Sequence, residues 1–273
     1  MILLFFFADK CNIIHEEVKC VAKTIAIVNQ KGGVGKTTTA INLSTCVAER
    51  GKKVLLIDID PQGNATSGLS VSNVGDKSVY DVLIAEATMQ SVIKPTMVKN
   101  LYICPSNINL AGAEVELVPL AAREHRLKMA INNLEQKFDY IFIDCPPSLG
   151  LITLNAFAAA NSVLVPIQCE YYALEGLGQL INTIKLVQQG LNPELEIEGV
   201  VLTMYDSRTK LSSQVAEEVK KYFTNKVFDT VIPRNIRLSE APSHGLPITV
   251  YDPLSKGART YKKLAKELIK NNS

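Results

Sequence analysis

Short, almost continuously apolar runs alternate along this chain with longer stretches whose apolar residues recur every three or four positions. The apolar runs cover residues 24–29, 54–58, 101–104, 140–144, 162–168 and 199–204. Runs that lack polar alternation predict strands covered by helices on both faces. The periodic stretches predict helices over 36–50, 114–136, 173–189, 211–222 and 255–270. Strand and helix in alternation imply an α/β fold, a doubly wound and mostly parallel sheet with helices on both faces. Residues 63–99 are weakly patterned, so loops or an inserted helical piece are expected there. No repeat, low-complexity tract or Pro/Ser linker interrupts the pattern, and 273 residues fit one large domain over 24–273 preceded by an extension, 1–23.

The first predicted strand runs straight into Gln30-Lys31-Gly32-Gly33-Val34-Gly35-Lys36-Thr37-Thr38, and a helical pattern follows. A phosphate loop needs that setting. Glycines let backbone N–H groups approach phosphate oxygens, and the helix N-terminus adds its dipole. Lys36 is placed to reach the β and γ phosphates and the Thr37 hydroxyl to bind Mg²⁺. The usual pattern would put glycine at position 30; this chain has Gln30 there and carries Lys31 after it.

Two further apolar strands end in carboxylates, at Asp58-Ile-Asp60-Pro61 and at Asp144-Cys-Pro-Pro. Ligands of a doubly wound sheet gather beyond the carboxyl ends of its strands, so these acids belong near the phosphate loop. Phosphoryl transfer needs a carboxylate near Mg²⁺ and a group that orients the attacking water. Asp144 suits the first task by holding a metal-bound water. Taken alone, D-x-D-P is equally a helix-capping pattern, and Asp58 and Asp60 stay open between the two readings.

The segment Lys31-Gly-Gly-Val-Gly-Lys36-Thr37 resembles the deviant Walker A motif of the ParA/MinD class of ATPases. Segments 58–68, 168–176, 203–209 and 232–245 are similar to its ParA/Soj branch, and the likeness spans about residues 24–270. This resemblance implies ATP and Mg²⁺ as ligands and partitioning of a chromosome or plasmid as the task. It implies that Lys31 reaches in trans across an ATP-bound homodimer, with Asp60 orienting water and Asp58 in the metal shell. It also assigns Pro233 and Asn235 to the adenine site and Arg208 and Arg237 to double-stranded DNA bound without sequence preference. A ParB-type partner that stimulates hydrolysis, and a cytoplasmic, nucleoid-associated location, follow from the same likeness. For each arginine, a structural ion pair is the competing explanation.

The formal net charge of +2 says nothing by itself about polyanions, but its distribution is uneven. Residues 200–273 hold 13 Lys/Arg against 7 Asp/Glu, while residues 1–199 hold 16 against 20. This makes the C-terminal quarter the candidate polyanion face, or else a solvated terminal helix. A basic helix at 258–270 with leucines at helical spacing raises a MinD-like membrane-cycling alternative. Its apolar stripe is narrow and lacks Trp and Phe, so an ordinary packed helix and no stable membrane association are expected. The six cysteines form no C-x-x-C pair and do not follow the pattern of the nitrogenase iron protein; they read as reduced cytosolic thiols. The apolar run from Ile2 to Ala8 is too short to span a bilayer and lacks the basic flank of a secretory signal.

Overall fold

A computed structural model describes residues 22–72, 76–171 and 177–273. Most of the 1–23 extension, Cys11, Cys20 and part of the 168–176 segment lie outside the described residues. Among the described residues one sheet contains β1 (Lys23–Ile27), β2 (Val54–Asp58), β3 (Lys94–Pro95), β4 (Leu101–Cys104), β5 (Tyr140–Asp144), β6 (Ser162–Gln168) and β7 (Glu196–Thr203). Their order is β3-β4-β2-β5-β1-β6-β7. All neighbours are parallel except the two-residue β3, which pairs antiparallel with β4 at the edge.

The first half of the chain contributes helices α1 (Lys36–Ala48), α2 (Asn64–Ser67), α3 (Val79–Leu83), α4 (Met89–Val92), α5 (Leu110–Glu116) and α6 (Arg126–Asn132). The second half adds α7 (Leu151–Ala159), α8 (Leu177–Gly190), α9 (Lys210–Phe223), α10 (Ile236–Glu240), α11 (Ile248–Tyr251) and α12 (Lys256–Asn271). Alternation along each strand sends successive side chains into two separate cores. Leu55, Ile57, Ile141 and Ile143 pack under α3, α5, α7, α8 and α9. Val54, Leu56, Tyr140 and Phe142 pack under α1, α10, α11 and α12. Both faces are thus covered, which is why these strands read as unbroken apolar runs.

One expectation needs correction. The helix predicted over 114–136 is broken into α5 and α6, which leaves Leu117 to His125 outside both. Pro119 lacks an N–H donor and disfavours helical backbone at Val118, and Ala122 adopts a left-handed φ of 51°, so a continuous helix cannot form. The edge strand β3 and the short α2, α3 and α4 occupy the weakly patterned stretch. α3 starts with a capping box in which the Ser78 N–H donates to Asp81 Oδ2 at 2.7 Å.

The terminal helix α12 packs as a structural element. Ala258, Tyr261, Leu264, Ala265 and Leu268 are all at most 1% exposed, and the buried Tyr261 hydroxyl lies 3.1 Å from Thr39 Oγ1 of α1. The apolar stripe that raised the membrane-cycling alternative is therefore already occupied by α1 and the sheet. No helix among the described residues is long and apolar enough to cross a membrane.

Candidate nucleotide and metal site

β1 lies between β5 and β6 in the middle of the sheet, and its chain leaves the carboxyl edge as the loop that starts α1. Gly33 and Gly35 have φ of 74° and 89°, a left-handed backbone that L side chains rarely adopt. A Cβ at Gly32 or Gly33 would meet no atom within 4 Å, so the space over the loop is open for an anion to approach its backbone.

Side chains that the sequence reading did not single out hold this loop in shape. The Asn29 amide donates to the Pro166 carbonyl at 2.7 Å, and its Oδ1 accepts the Lys31 N–H at 3.0 Å. Thr203, at the end of β7, donates its hydroxyl to the Val34 carbonyl at 2.8 Å. Lys36 folds back so that its Nζ donates to the Lys31 carbonyl at 3.2 Å. Burial lowers the Lys36 pKa, opposed first by the nearby Asp144. The Lys31 side chain is half-buried at the rim and has no ion-pair partner among the described residues. Thr37 and Thr38 are half-buried in the first turn of α1, and the Thr38 carbonyl accepts from Asn42.

The strand-end acids converge as expected. Parallel register sets Asp58 of β2 beside Asp144 of β5, which in turn lies opposite Ile27 of β1. Asp58 and Asp144 are fully buried, and Asp60 is nearly so. Their hydrogen bonding is unequal. Asp58 Oδ2 accepts from the Thr66 N–H at 2.8 Å and the Thr66 hydroxyl at 2.7 Å, while Oδ1 accepts the Asp60 N–H at 3.2 Å. Thr66 Oγ1 also accepts the Ser106 N–H at 3.0 Å, linking α2 to the end of β4. Asp60 Oδ1 accepts the Gln62 N–H at 3.0 Å. Neither oxygen of Asp144 completes a well-formed hydrogen bond among the described residues, although the Thr37 hydroxyl is close enough to favour its charged form.

Burial first, and then the charge of Asp58, pushes the Asp144 pKa well above the carboxylate range. Burial likewise raises Asp58, to about 6, against the pull of its bonds to Thr66. Two buried acids side by side, with only the amine of Lys36 near Asp144 to offset them, are a poor end state for a folded chain. The donor set suits a Mg²⁺ ion, which takes one or two carboxylates with waters and phosphate oxygens rather than an all-protein cage. Asp144, Asp58 and Thr37 are the residues that would hold that ion and its waters.

Pro233 and Asn235 follow β7 on the same edge of the sheet. Pro233 pairs with Tyr205 in an isolated bridge, and the Arg234 N–H donates to the Tyr205 carbonyl at 3.1 Å. Asn235 Oδ1 is engaged as the cap of α10, accepting the Arg237 N–H at 2.9 Å. Among the described residues its amide nitrogen has no hydrogen-bond partner.

Arg208 and Arg237 do not share the acids' position. Arg208 is exposed and grips Asp206 through Nε at 2.9 Å and Nη2 at 2.7 Å, which holds Asp206 far below the usual carboxylate range. Arg237 pairs with Glu240 at 2.9 Å and with Asp252 at 3.6 Å. Each arginine thus has a local carboxylate partner. Cys46, Cys104, Cys145 and Cys169 are buried free thiols whose pKa values burial raises, the state of inert core residues. Cavities of about 710 Å³ beside Met89 and Arg126 and about 560 Å³ beside Thr24 and Asn161 include none of the converging carboxylates.

Comparison with known proteins is consistent with this geometry. Residues 22–197 match the family described as AAA domain. The chain is 62% identical over 250 residues to the sporulation initiation inhibitor protein Soj of Bacillus subtilis, covering 91% of this chain and 99% of that protein. It is 55% identical over 247 residues to the chromosome-partitioning ATPase Soj of Treponema pallidum, covering 90% and 97%. Among solved structures, the cobyrinic acid a,c-diamide synthase of Mycobacterium smegmatis with bound ADP and magnesium superposes with a TM-score of 0.81 at 39% identity, covering 92% of this chain and 95% of that one.

Proposed function

Because the chain belongs to the Soj/ParA family of chromosome-partitioning ATPases, we propose that it hydrolyses ATP between two facing copies of itself and that this paired form holds DNA. The observation that carries the reading is the meeting of Lys36, Asp58, Asp60 and Asp144 at the open glycine loop, with the buried Asp144 carboxylate facing Thr37 and Lys36. Lys36 and the loop N–H groups bind the phosphates, and Asp60 orients the attacking water. Asp58, Thr37 and Asp144 hold Mg²⁺ and its waters. Bound Mg²⁺ supplies neutralisation of the charge that builds up on the phosphate oxygens. Pro233 and Asn235 take the adenine edge, since an amide can both donate and accept.

Lys31 acts on the other copy's nucleotide. Its backbone is tied to Asn29 and Lys36, while its amine is left at the rim without a carboxylate among the described residues. A γ-phosphate contacted by both copies stabilises the pair until it is cleaved, and ADP returns single chains with weak DNA affinity. Arg208 and Arg237 contribute phosphate contacts by exchanging their carboxylate partners. A ParB-type protein accelerates hydrolysis, and the protein works in the cytoplasm on the nucleoid. Residues 24–273 act as one ATPase domain, with 1–23 an extension. A membrane-cycling role is disfavoured because the apolar face of α12 is spent on α1.

Size exclusion with ATP and Mg²⁺ tests the pairing. The Asp60→Ala variant should accumulate as a nucleotide-loaded dimer and Lys31→Ala should stay monomeric; identical elution of both in all nucleotide states overturns the reading. In a salt titration of DNA binding, ATP should give the tighter complex, and equal affinity with ATP, ADP and no nucleotide would remove the switch.

A further inference from the structure

Six of the chain's 29 Lys/Arg lie on α12, and five of them form one line. Lys256, Arg259, Lys263, Lys266 and Lys270 recur at steps of three, four, three and four residues, and all are exposed. At 100° per residue they fall within an arc of roughly 80°, over an axial length of about 21 Å. The buried Gly257, Ala258, Tyr261, Leu264, Ala265 and Leu268 occupy the opposite side.

These five cations have no ion-pair partner among the described residues. The sixth, Lys262, leans toward Glu49 at 4.0 Å and stands outside the line. The one acid on the helix, Glu267, flanks the line about 20° beyond its edge, but its carboxylate is engaged by the Asp229 and Thr230 N–H groups at 2.6 and 3.0 Å rather than by a lysine. Arg50, also without a carboxylate partner among the described residues, donates to the Lys262 carbonyl at 3.1 Å and adds a flanking cation. Arg208 and Arg237, by contrast, each spend their charge on neighbouring carboxylates. Like charges held at i,i+3 and i,i+4 spacing disfavour a helix, so this line is a standing electrostatic cost that a bound polyanion relieves.

We propose that the exposed face of α12 is a phosphate track, a surface on which the protein holds double-stranded DNA beyond the contacts of Arg208 and Arg237. The inference rests on the DNA-binding reading above and adds where the duplex lies. Five cations over about 21 Å face a lattice with one negative charge per about 1.7 Å of duplex axis, so each finds a phosphate without reading bases. A lipid surface fits less well. A membrane-binding helix needs a free apolar face to insert, and that face of α12 is packed on α1.

The test is fluorescence anisotropy of a random-sequence duplex with ATP-loaded full-length protein, titrated with salt. Removing three phosphate contacts by K263Q/K266Q/K270Q should flatten the log–log salt slope by about 0.9 per contact, near three per bound protomer. A control with the same change of charge on exposed positions of α8 and α9, K185Q/K220Q/K221Q, should leave the slope near wild type. The single variants, each flattening it by about one, give the same answer should the triple fail to fold. Equal loss in both triples, or none in either, overturns the track. So does an α12 triple that loses binding to phosphatidylserine vesicles while keeping DNA affinity. A wild type that binds no DNA in any nucleotide state would instead defeat the underlying DNA reading.

Discussion

At the scale of single residues, the two buried carboxylates differ in support, and that difference has consequences before any ligand binds. Asp58 is anchored by three hydrogen bonds from Thr66 and Asp60, whereas Asp144 has only the nearby Thr37 hydroxyl and Lys36 amine. Both acids hold their protons more tightly in the folded chain than in the unfolded one. The folded state therefore binds more protons, and the stability of the nucleotide-free protein falls as pH rises from the ordinary carboxylate range through about 6, the raised value of Asp58. Denaturant melts without Mg²⁺ or nucleotide should show higher stability at pH 5 than at pH 7.5. Asp144→Asn should reduce that slope and raise the ligand-free stability at pH 7.5 by about 1–3 kcal/mol while abolishing ATP hydrolysis. Thr66 makes a second test. Thr66→Val keeps the shape but removes the hydroxyl bridge between Asp58 and the Ser106 N–H, and should raise the Mg²⁺ concentration at half-maximal ATPase rate by about tenfold or more. Thr66→Ser should recover most of it. A purely structural role would lower stability and leave the Mg²⁺ dependence alone. Asp58, Asp60 and Asp144 were legible because they stand where apolar runs stop, and Lys36 because it closes the glycine loop between a strand and a helix. Asn29, Thr66 and Thr203 were not, because their partners Pro166, Ser106 and Val34 lie 137, 40 and 169 residues away.

At the scale of elements, the strands buried on both faces were the most readable, and β2, β4, β5 and β6 begin and end where the apolar runs do. β7 starts earlier than its run because Glu196 and Glu198 interrupt the pattern. The broken helix between α5 and α6 shows the limit of periodicity: apolar spacing continues across a proline that the backbone cannot accommodate. What replaces continuity is a side-chain contact. Glu114 of α5 accepts the Leu151 N–H at 2.8 Å and the Ile152 N–H at 3.3 Å, supplying the cap that the start of α7 lacks. Glu114→Ala should therefore cost about 1 kcal/mol, the usual value of a lost N-cap, although it lies on another helix. In α12, Leu268 is fully buried against the face that α1 covers, and Leu268→Ala should cost about 2–5 kcal/mol in denaturant melts. Were the helix instead free to leave the body and insert into lipid, the same change would cost little.

At the scale of the whole molecule, the decisive question is whether Lys31 serves its own nucleotide or that of a facing copy. In the single chain its amine has no carboxylate partner among the described residues, while Lys36 and the three acids already surround the loop. Two inactive variants can separate the cases. Lys31→Ala leaves Asp60 in place, and Asp60→Ala leaves Lys31 in place. In a mixed pair, the site on the Lys31→Ala chain keeps its own Asp60 and receives a lysine from the Asp60→Ala chain, so one of the two sites is complete. The other site lacks both groups. Random pairing would make about half of the dimers mixed and restore about a quarter of the wild-type ATPase rate; because Asp60→Ala pairs with itself and Lys31→Ala does not, a two-fold symmetric arrangement should restore a fraction below that quarter, rising as Lys31→Ala is added in excess. If Lys31 served only its own chain, no site in any pairing would be complete, and the mixture would stay as inactive as its components. Dilution adds a second check, because restored activity should fall with the square of protein concentration once pairing becomes limiting. A linear fall, or no recovery at any mixing ratio, would return Lys31 to a role within one chain.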